Sequence, residues 1–263
     1  RASATNGVIG TLEIDLPVTV SNKFTSQVEN YPVINNGTIE ITAGSGGIEL
    51  PNYSGNGTVI LNDGTKFTNN SASGSGTTIT VANLKIADSA TGTVEAGNGN
   101  ITVTKLISGT DANLSTSGTA AANTVTLSGF ENKLKNLTVS GGTLALGADL
   151  EISGDLTDNG TWTGTGTISF VGSDPQTFTA KSGTDYPDII IKNTSGGKVN
   201  LAGDVSVSNL TISENGVLDA GSATVIKISG NWTNSVGTSG FLAGTSTVQF
   251  DGTATITGEN TFN

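Results

Sequence analysis

The residues of this chain that could carry chemistry are its carboxylates. Five of them lie in or beside strand-like runs: Glu40, Glu49, Glu95, Asp149 and Glu151. Two carboxylates on neighbouring strands would stand about 5 Å apart, close to the separation that retaining glycosidases use. The alternative is a solvated strand face with no catalytic role, and the rest of the composition favours that alternative.

The groups that usually assist acid–base or nucleophilic catalysis are missing from the sequence. The 263 residues contain no His and no Cys, and the only arginine is Arg1. This removes the commonest general base, the Ser-His-Asp triad and thiolate metal sites. Neither the Gly-Gly-x-Gly-x-Asp repeat of calcium-binding β-rolls nor an EF-hand loop occurs. We therefore predict no catalytic residues, no metal site and no cofactor.

Two other residue types could form a binding surface. Aromatic rings stack on sugars, and the candidates are Tyr31, Tyr53, Trp162, Tyr186 and Trp232. Threonines recur in the segments 161–167 and 253–257. Flat threonine ladders occur in ice-binding solenoids, but they need coils of nearly equal length, and the repeats of this chain are unevenly spaced. The pattern favours threonine as an ordinary exposed strand residue.

Composition and charge limit the partners. Only 34% of the residues are apolar and 13% are charged, the net charge is -11, and the pI is near 4.2. A nucleic-acid binder needs a basic patch, and an anionic membrane would repel this chain. No apolar run approaches the roughly 20 residues of a membrane span. The acidic, Cys-free sequence, rich in Thr, Asn and Gly, predicts an exported bacterial protein.

The elements that must position these residues are short β-strands. Apolar and polar residues alternate in runs such as Thr78–Val81, Ile101–Thr104 and Thr124–Leu127, while no convincing helical pattern appears. Asn-Gly pairs separate many of the runs, as at Asn36-Gly37 and Asn56-Gly57. Because Asn and Gly tolerate positive φ, these pairs predict sharp turns.

The chain also repeats itself. An Asn-Leu-Thr-Ile motif and looser copies of it begin at residues 83, 136, 188 and 209. Ile152–Thr157 parallels Ile228–Thr233, which places Trp232 where the first copy has Leu156 and predicts that Trp232 faces the core. Repeats of short strands with Gly/Asn corners predict a right-handed parallel β-solenoid, elongated, with coils of about 20 residues and variable length.

These repeats resemble a known group of proteins. Asn209–Ile212, Gly230–Asn234, Gly244–Thr253 and Ile256–Gly258 are similar to the repeats of haemagglutinin-like and autotransporter-passenger-like bacterial surface proteins. The resemblance is clearest over residues 134–263. It implies an exported, rod-like, adhesive or structural part, and it carries over no catalytic residue.

The sequence therefore predicts a structural or adhesive segment at the bacterial cell surface, with divergent N-terminal strands (1–30) as a cap or assembly segment and solenoid repeats over 31–263. Two alternatives stay open: a self-assembling filament or sheath subunit joined by β-strand addition, and a polysaccharide-binding or -cleaving β-helix protein. The expected partners are other copies of the chain, flanking parts of a longer surface protein, glycans or a host surface, without nucleic acid or membrane insertion.

The filament alternative identifies specific residues. Unpaired backbone groups at the end of a solenoid invite another chain to continue the stack. The candidate assembly strand comprises Thr11, Leu12, Glu13, Ile14, Leu16, Val18 and Val20. The candidate exposed C-terminal edge comprises Thr253, Thr255 and Thr257.

Overall fold

A computed structural model describes residues 11–26, 32–44, 46–72, 76–120, 122–194 and 196–262. In these residues the chain forms β-strands and no helix. Two compact units are present: unit 1 comprises Arg1–Asn132 and Gly141–Ala145, and unit 2 comprises Lys133–Ser140 and Leu146–Asn263. Both are parallel β-solenoids, with about 11 turns of about 22 residues between them. The predicted fold class is confirmed.

Most strands are short because a corner interrupts the chain every few residues. The first fifteen strands, all in unit 1, are β1 (Leu12–Ile14), β2 (Val18–Val20), β3 (Phe24–Thr25), β4 (Val33–Asn35), β5 (Thr38–Ile41), β6 (Ile48–Leu50), β7 (Tyr53–Ser54), β8 (Thr58–Leu61), β9 (Thr65–Asn69), β10 (Thr78–Ile86), β11 (Thr91–Ala96), β12 (Asn100–Ser108), β13 (Asn113–Gly118), β14 (Thr124–Leu127) and β15 (Phe130–Glu131). The two nine-residue strands, β10 and β12, are the longest of all those described.

The remaining strands belong to unit 2, apart from β17, which lies almost entirely in unit 1. They are β16 (Leu137–Val139), β17 (Thr143–Leu146), β18 (Leu150–Ile152), β19 (Leu156–Asp158), β20 (Thr161–Gly164), β21 (Ile168–Phe170), β22 (Gln176–Thr179), β23 (Asp185–Tyr186), β24 (Ile189–Ile191), β25 (Val199–Leu201), β26 (Val205–Val207), β27 (Leu210–Ile212), β28 (Leu218–Asp219), β29 (Val225–Ile228), β30 (Trp232–Asn234), β31 (Phe241–Leu242), β32 (Thr247–Phe250) and β33 (Ile256–Thr257).

Strands of successive turns pair side by side. In unit 1 the orders are β1-β4-β7, β2-β5-β8-β10-β12-β14-β17 with β15 beside β12, and β3-β6-β9-β11-β13. In unit 2 they are β16-β19-β22-β25-β28-β31, β18-β21-β24-β27-β30-β33 and β23-β26-β29-β32. Strands one turn apart therefore lie side by side and pair in parallel, as in a β-solenoid.

The core is built from columns of apolar residues. In unit 1, Ile79 pairs with Ile101 and Leu84 with Leu106, and all four side chains are buried. In unit 2, one column runs from Ile168 through the corresponding residues of β24 and β27 to Trp232. Because side chains alternate across a strand, the intervening polar residues face outward. This narrow core explains why so few apolar residues suffice.

The number of residues per turn varies widely, from 18 between Leu150 and Ile168 to 27 between Thr65 and Gly92. The uneven spacing of the Asn-Leu-Thr-Ile copies has a further cause. Leu84 lies in β10, Leu137 in β16 and Leu210 in β27, which belong to three different sheets. Asn136 and Asn209 each directly precede a strand, whereas Asn83 lies inside β10, so the copies of the motif occur at different positions of the coil.

The Asn-Gly pairs form corners for a different reason than the one predicted. Gly37 and Gly57 do not have positive φ. A side chain on Gly57 would instead collide with the carbonyl of Gly37 in the preceding turn. The expectation of positive φ at these pairs was wrong: glycine is required there because the backbones of successive turns approach closely.

Candidate functional site

The carboxylates of unit 1 are held by lysines on one outer face. Glu49 of β6 forms an ion pair with Lys23, with 2.8 Å between Nζ and Oε1, and a longer one with Lys66 at 3.6 Å. Lys66 also pairs with Glu95 of β11 at 3.0 Å, and Thr68 donates to the same carboxylate at 3.1 Å. We call Lys23, Glu49, Lys66 and Glu95 the ion ladder.

The charges of the ion ladder stabilise one another. Partial burial raises the pKa of Glu49, but Lys23 and Lys66 outweigh it and hold that pKa below its ordinary value. The hydrogen bond to Glu95 raises the pKa of Lys66. The Glu49 carboxylate therefore remains ionised near neutral pH. A glycosidase pair flanks the glycosidic bond, whereas the ammonium group of Lys66 contacts both Glu49 and Glu95, so this arrangement does not suit that chemistry.

The other three candidate carboxylates also make contacts that support the fold. Glu40 accepts a hydrogen bond from the side-chain amide of Asn62 at 3.2 Å, and Glu151 pairs with Lys192 at 2.7 Å. Asp149 accepts the backbone amide of Thr167 in the next turn at 2.8 Å. The structure brings Glu49 and Glu95 together through Lys66, and each of the other three has a partner of its own.

Asp149 is one example of a corner interaction that sequence analysis missed. At many corners an Asn or Asp side chain accepts a backbone N–H of the following turn. Such acceptors include Asp63, Asp88, Asn100, Asn136, Asp149, Asp155, Asp188, Asp204, Asn209 and Asn231. The frequent Asn and Asp residues beside turns were the available signal, since short polar side chains readily satisfy nearby backbone groups.

At one of these corners, hydrogen bonds from the following turn lower the pKa of the accepting carboxylate. Amides of Val225 and Thr224 hold the pKa of Asp204 below its ordinary value. Asn209 contacts both the preceding and the following turn. Its side-chain Nδ2 donates to Asp188 at 2.8 Å, and its Oδ1 accepts the backbone amide of Asn231 at 2.7 Å. Corner Asn and Asp residues thus join successive turns of the solenoid.

The aromatic candidates for sugar stacking point inward. Tyr53, Trp162, Tyr186 and Trp232 are all buried, with at most 5% of each side chain exposed. Tyr31 lies outside the described residues. The prediction that Trp232 faces the core is confirmed, although its strand and that of Leu156 belong to different sheets. The hypothesis that these four rings stack on a sugar at the surface is wrong.

One buried polar cluster in unit 2 was not predicted. Tyr186 donates to the buried carboxylate of Asp158 at 2.5 Å and accepts the backbone amide of Lys181 at 2.8 Å. Asp158 also accepts the amide of Gly160 at 2.8 Å. Burial, reinforced by Asp158, raises the pKa of Tyr186. These polar groups satisfy one another inside the coil, which marks the cluster as part of the core.

The candidate assembly residues form the first described turn. Leu12, Glu13 and Ile14 make up β1, which pairs in parallel with β4. Val18 and Val20 lie in β2, which pairs with β5. Thr11 precedes β1, and Leu16 lies between the two strands with 74% of its surface exposed. This segment is thus itself a turn of the solenoid.

The candidate C-terminal residues lie in the last described turn of unit 2. Thr253, Thr255 and Thr257 are exposed. The amide of Thr255 donates to Asn231, and only Thr257 lies in a strand, β33.

The end of the core beside these threonines is covered. Trp232 donates its indole N–H to Asn260 at 2.7 Å, and the ring of Phe262 contacts that of Trp232 at 5.3 Å. The residue pattern around Trp232 gave no indication of this cover.

No protein-family model, curated protein or solved structure matches the chain. The resemblance to bacterial surface repeats therefore stays a prediction. Among the described residues, no group of three or more acidic side chains is placed to hold a metal ion. Within the same residues, no helix has the length and apolar character needed to cross a membrane.

Proposed function

We propose that this chain is a structural or adhesive β-solenoid segment of an extracellular bacterial surface protein, without catalytic activity of its own. The observation that carries the proposal is the use of all five candidate carboxylates in contacts that hold the solenoid together. An ion-paired, hydrogen-bonded exterior suits a part that maintains its shape and presents a surface.

Two further features support this proposal. The four described aromatic candidates fill the core, so they contribute stability and leave the exterior to polar residues. The fold is a parallel β-solenoid, in which each turn contacts its neighbours and length is gained by adding turns. Both features fit a part that spans distance.

Surface labelling of the source bacterium tests the location. Antibodies raised against the purified chain should label intact, unpermeabilised cells. Labelling that appears only after lysis would contradict the proposal. A second assay incubates the chain with soluble polysaccharides, and the expected result is no increase in reducing ends. Cleavage that Glu49→Gln abolishes would show that the ion ladder is an active site after all.

A second candidate function, the filament subunit, is favoured by where large apolar residues are exposed. In the part of the chain that the structure describes, these residues are Leu16, Val18, Leu242 and Ile256, with 41–74% of their surfaces exposed. The first two lie in the first described turn and the last two in or beside the last. Apolar surface at both terminal turns suits a head-to-tail contact between copies, which propagates into an open filament.

Single charged substitutions separate the two candidates. If copies stack head to tail, L16K and I256K should abolish concentration-dependent polymers seen by sedimentation velocity and negative-stain microscopy. T157K, on a middle turn, is the matched control and should leave polymers unchanged. An intact chain that stays monomeric at high concentration would exclude the filament and leave the adhesive or structural segment.

A further inference from the structure

A regular array of threonines covers one outer face of unit 1. Four neighbouring strands, β10, β12, β14 and β17, each present two outward positions there. These eight positions are Thr78, Thr80, Asn100, Thr102, Thr124, Thr126, Thr143 and Ala145. Six are threonine, none is charged, and all are exposed or half-exposed. We call them the threonine face.

The backbone holds these residues in register. Thr80 pairs with Thr102, and Thr102 with Thr126, so three threonines form one straight column. In the second column, Thr78 pairs with Asn100, whose side chain accepts the amide of Thr124 at 2.9 Å. The amide of Thr143 donates to the carbonyl of Asn123, which continues the ladder to a fourth turn.

This register survives a change in turn length. The step from Thr80 to Thr102 is 22 residues, and the step from Thr102 to Thr126 is 24. The extra residues are accommodated outside the face. Uneven coil length was the reason to expect no ordered threonine array, and on this face that expectation fails because only the paired strands need to match.

The array has two regular spacings. Paired strands lie about 4.8 Å apart, and alternate residues along a strand about 6.6 Å apart. Threonine is β-branched and stiff at χ1, so neighbouring hydroxyls and methyls repeat in a similar orientation. Buried Ile79, Ile101 and Val125 hold the strands from inside. The face thus offers a small lattice of hydroxyl groups separated by methyl groups.

We propose that the threonine face binds ice. Each threonine hydroxyl can both donate and accept a hydrogen bond, so hydroxyls that repeat at these two spacings can hold a regular two-dimensional layer of water that an ice surface can join. The methyl groups exclude less ordered water between them. No charge on the face perturbs this layer. Crystalline polysaccharide is the less favoured ligand because sugar platforms use aromatic rings, and none lies on this face.

A second threonine column in unit 2 provides the control. Thr138, Thr157 and Thr179 are also in register on consecutive turns. Their neighbours two residues earlier include Asn136 and Asp155, so this column has no second threonine column beside it. T102K and T157K each place one lysine at the centre of a three-threonine column, and only T102K disrupts a two-dimensional array.

The experiment measures uptake of the fluorescently labelled chain into a slowly growing ice hemisphere, together with thermal hysteresis. The wild-type chain and T157K should enter the ice and give hysteresis, whereas T102K should lose most of both. Circular dichroism and thermal melting establish that both variants fold. Exclusion of the wild-type chain from ice would overturn the proposal, as would equal losses in the two variants. Binding to insoluble cellulose or chitin that T102K alone abolishes, without ice uptake, would assign the face to a polysaccharide instead.

Discussion

The two units use the same coil but fill it differently. Among its described residues, unit 1 has a mainly aliphatic core with one ring pair, Tyr53 and Phe67, and it contains the two nine-residue strands. Unit 2 has strands of two to four residues and two clusters of aromatic rings, around Tyr186 and around Trp232. Long strands give unit 1 many paired positions in register, whereas aromatic rings fill the coil of unit 2, where corners are frequent. The same parallel ladder therefore supports an in-register surface in one unit and an interior rich in aromatic rings in the other.

Removing one large ring from each unit should give the largest effects. Trp232→Ala and Phe67→Ala should each lower the free energy of unfolding by about 3–5 kcal/mol, because both side chains are fully buried. Contacts in a solenoid are mostly between neighbouring turns, so each loss should stay within its own unit. Hydrogen exchange with mass spectrometry should show faster exchange of unit 2 amides in W232A and of unit 1 amides in F67A. Equal acceleration throughout the chain in either variant would contradict separate cores.

Alkaline pH should affect both units through their buried tyrosines. Burial raises the pKa of Tyr53 to about 12, from its ordinary value of 10.0. Tyr53 therefore binds its proton more tightly in the folded protein than in the unfolded chain. Its contribution to the free energy of unfolding is fully present below about pH 10 and is lost as pH rises from 10 to 12. Two pKa units correspond to about 2–3 kcal/mol. Urea unfolding at several pH values should show a smaller decrease in the free energy of unfolding between pH 10 and 12 for Tyr53→Phe than for the wild-type chain.

Tyr186 is the buried tyrosine of unit 2 with which Tyr53 can be compared. Its hydroxyl donates to Asp158, whereas that of Tyr53 accepts from the neutral amide of Asn35 at 3.0 Å. Tyr186→Phe should therefore also destabilise the protein at neutral pH, by about 1–3 kcal/mol, because a buried carboxylate loses its donor. If Y53F and Y186F behave alike at neutral pH, the buried carboxylate does not distinguish the two sites.

Corner acceptors should matter more where they connect turns on both sides. Asn209→Ala in unit 2 removes one hydrogen bond to Asp188 and one from Asn231. It should lower the free energy of unfolding by about 1 kcal/mol or slightly more. Asp88→Ala in unit 1 removes the acceptor of the Thr110 amide and should cost less. Asp88→Asn keeps an acceptor oxygen and is the matched control. Chemical denaturation measures all three, and an equal loss in D88A and D88N would show that the acceptor contributes nothing.

Local patterns predicted the fold because a solenoid is built from local rules. Alternation in segments such as Thr78–Val81 identifies strands, and repetition identifies stacked turns, without knowledge of distant contacts. The threonine face was missed because its columns depend on which strands pair. Thr80 and Thr126 are 46 residues apart, and only the register of β12 between them aligns their side chains.

The partners of polar side chains were harder to predict for the same reason. Glu49 and Glu95 were catalytic candidates because the sequence does not reveal that Lys66 contacts both of them. The polar residue Asp158 follows an ordinary strand pattern, and its burial depends on Tyr186 in the next turn. Side-chain partners in a solenoid come from neighbouring turns, whose lengths the sequence leaves uncertain.

Substitutions in the ion ladder should change the free energy of unfolding least, and this change should depend most clearly on salt. Glu49→Gln in unit 1 removes a carboxylate that contacts two lysines, whereas Glu151→Gln in unit 2 removes one partner of a single pair with Lys192. Exposed ion pairs contribute about 0–1 kcal/mol, so the loss in free energy of unfolding should lie in the upper part of that range for E49Q and in the lower part for E151Q.

Because the pKa of Glu49 is lowered in the folded protein, its contribution to stability is present above about pH 4.5 and is lost as pH falls through the folded pKa. Melting temperatures at low and high salt, at neutral and acidic pH, measure both variants. The difference between E49Q and wild type should vanish in high salt and in acid, since each condition removes the attraction that the substitution removes. A difference that persists in both conditions would mean that Glu49 acts through packing, and the ion ladder would then not distinguish the two units.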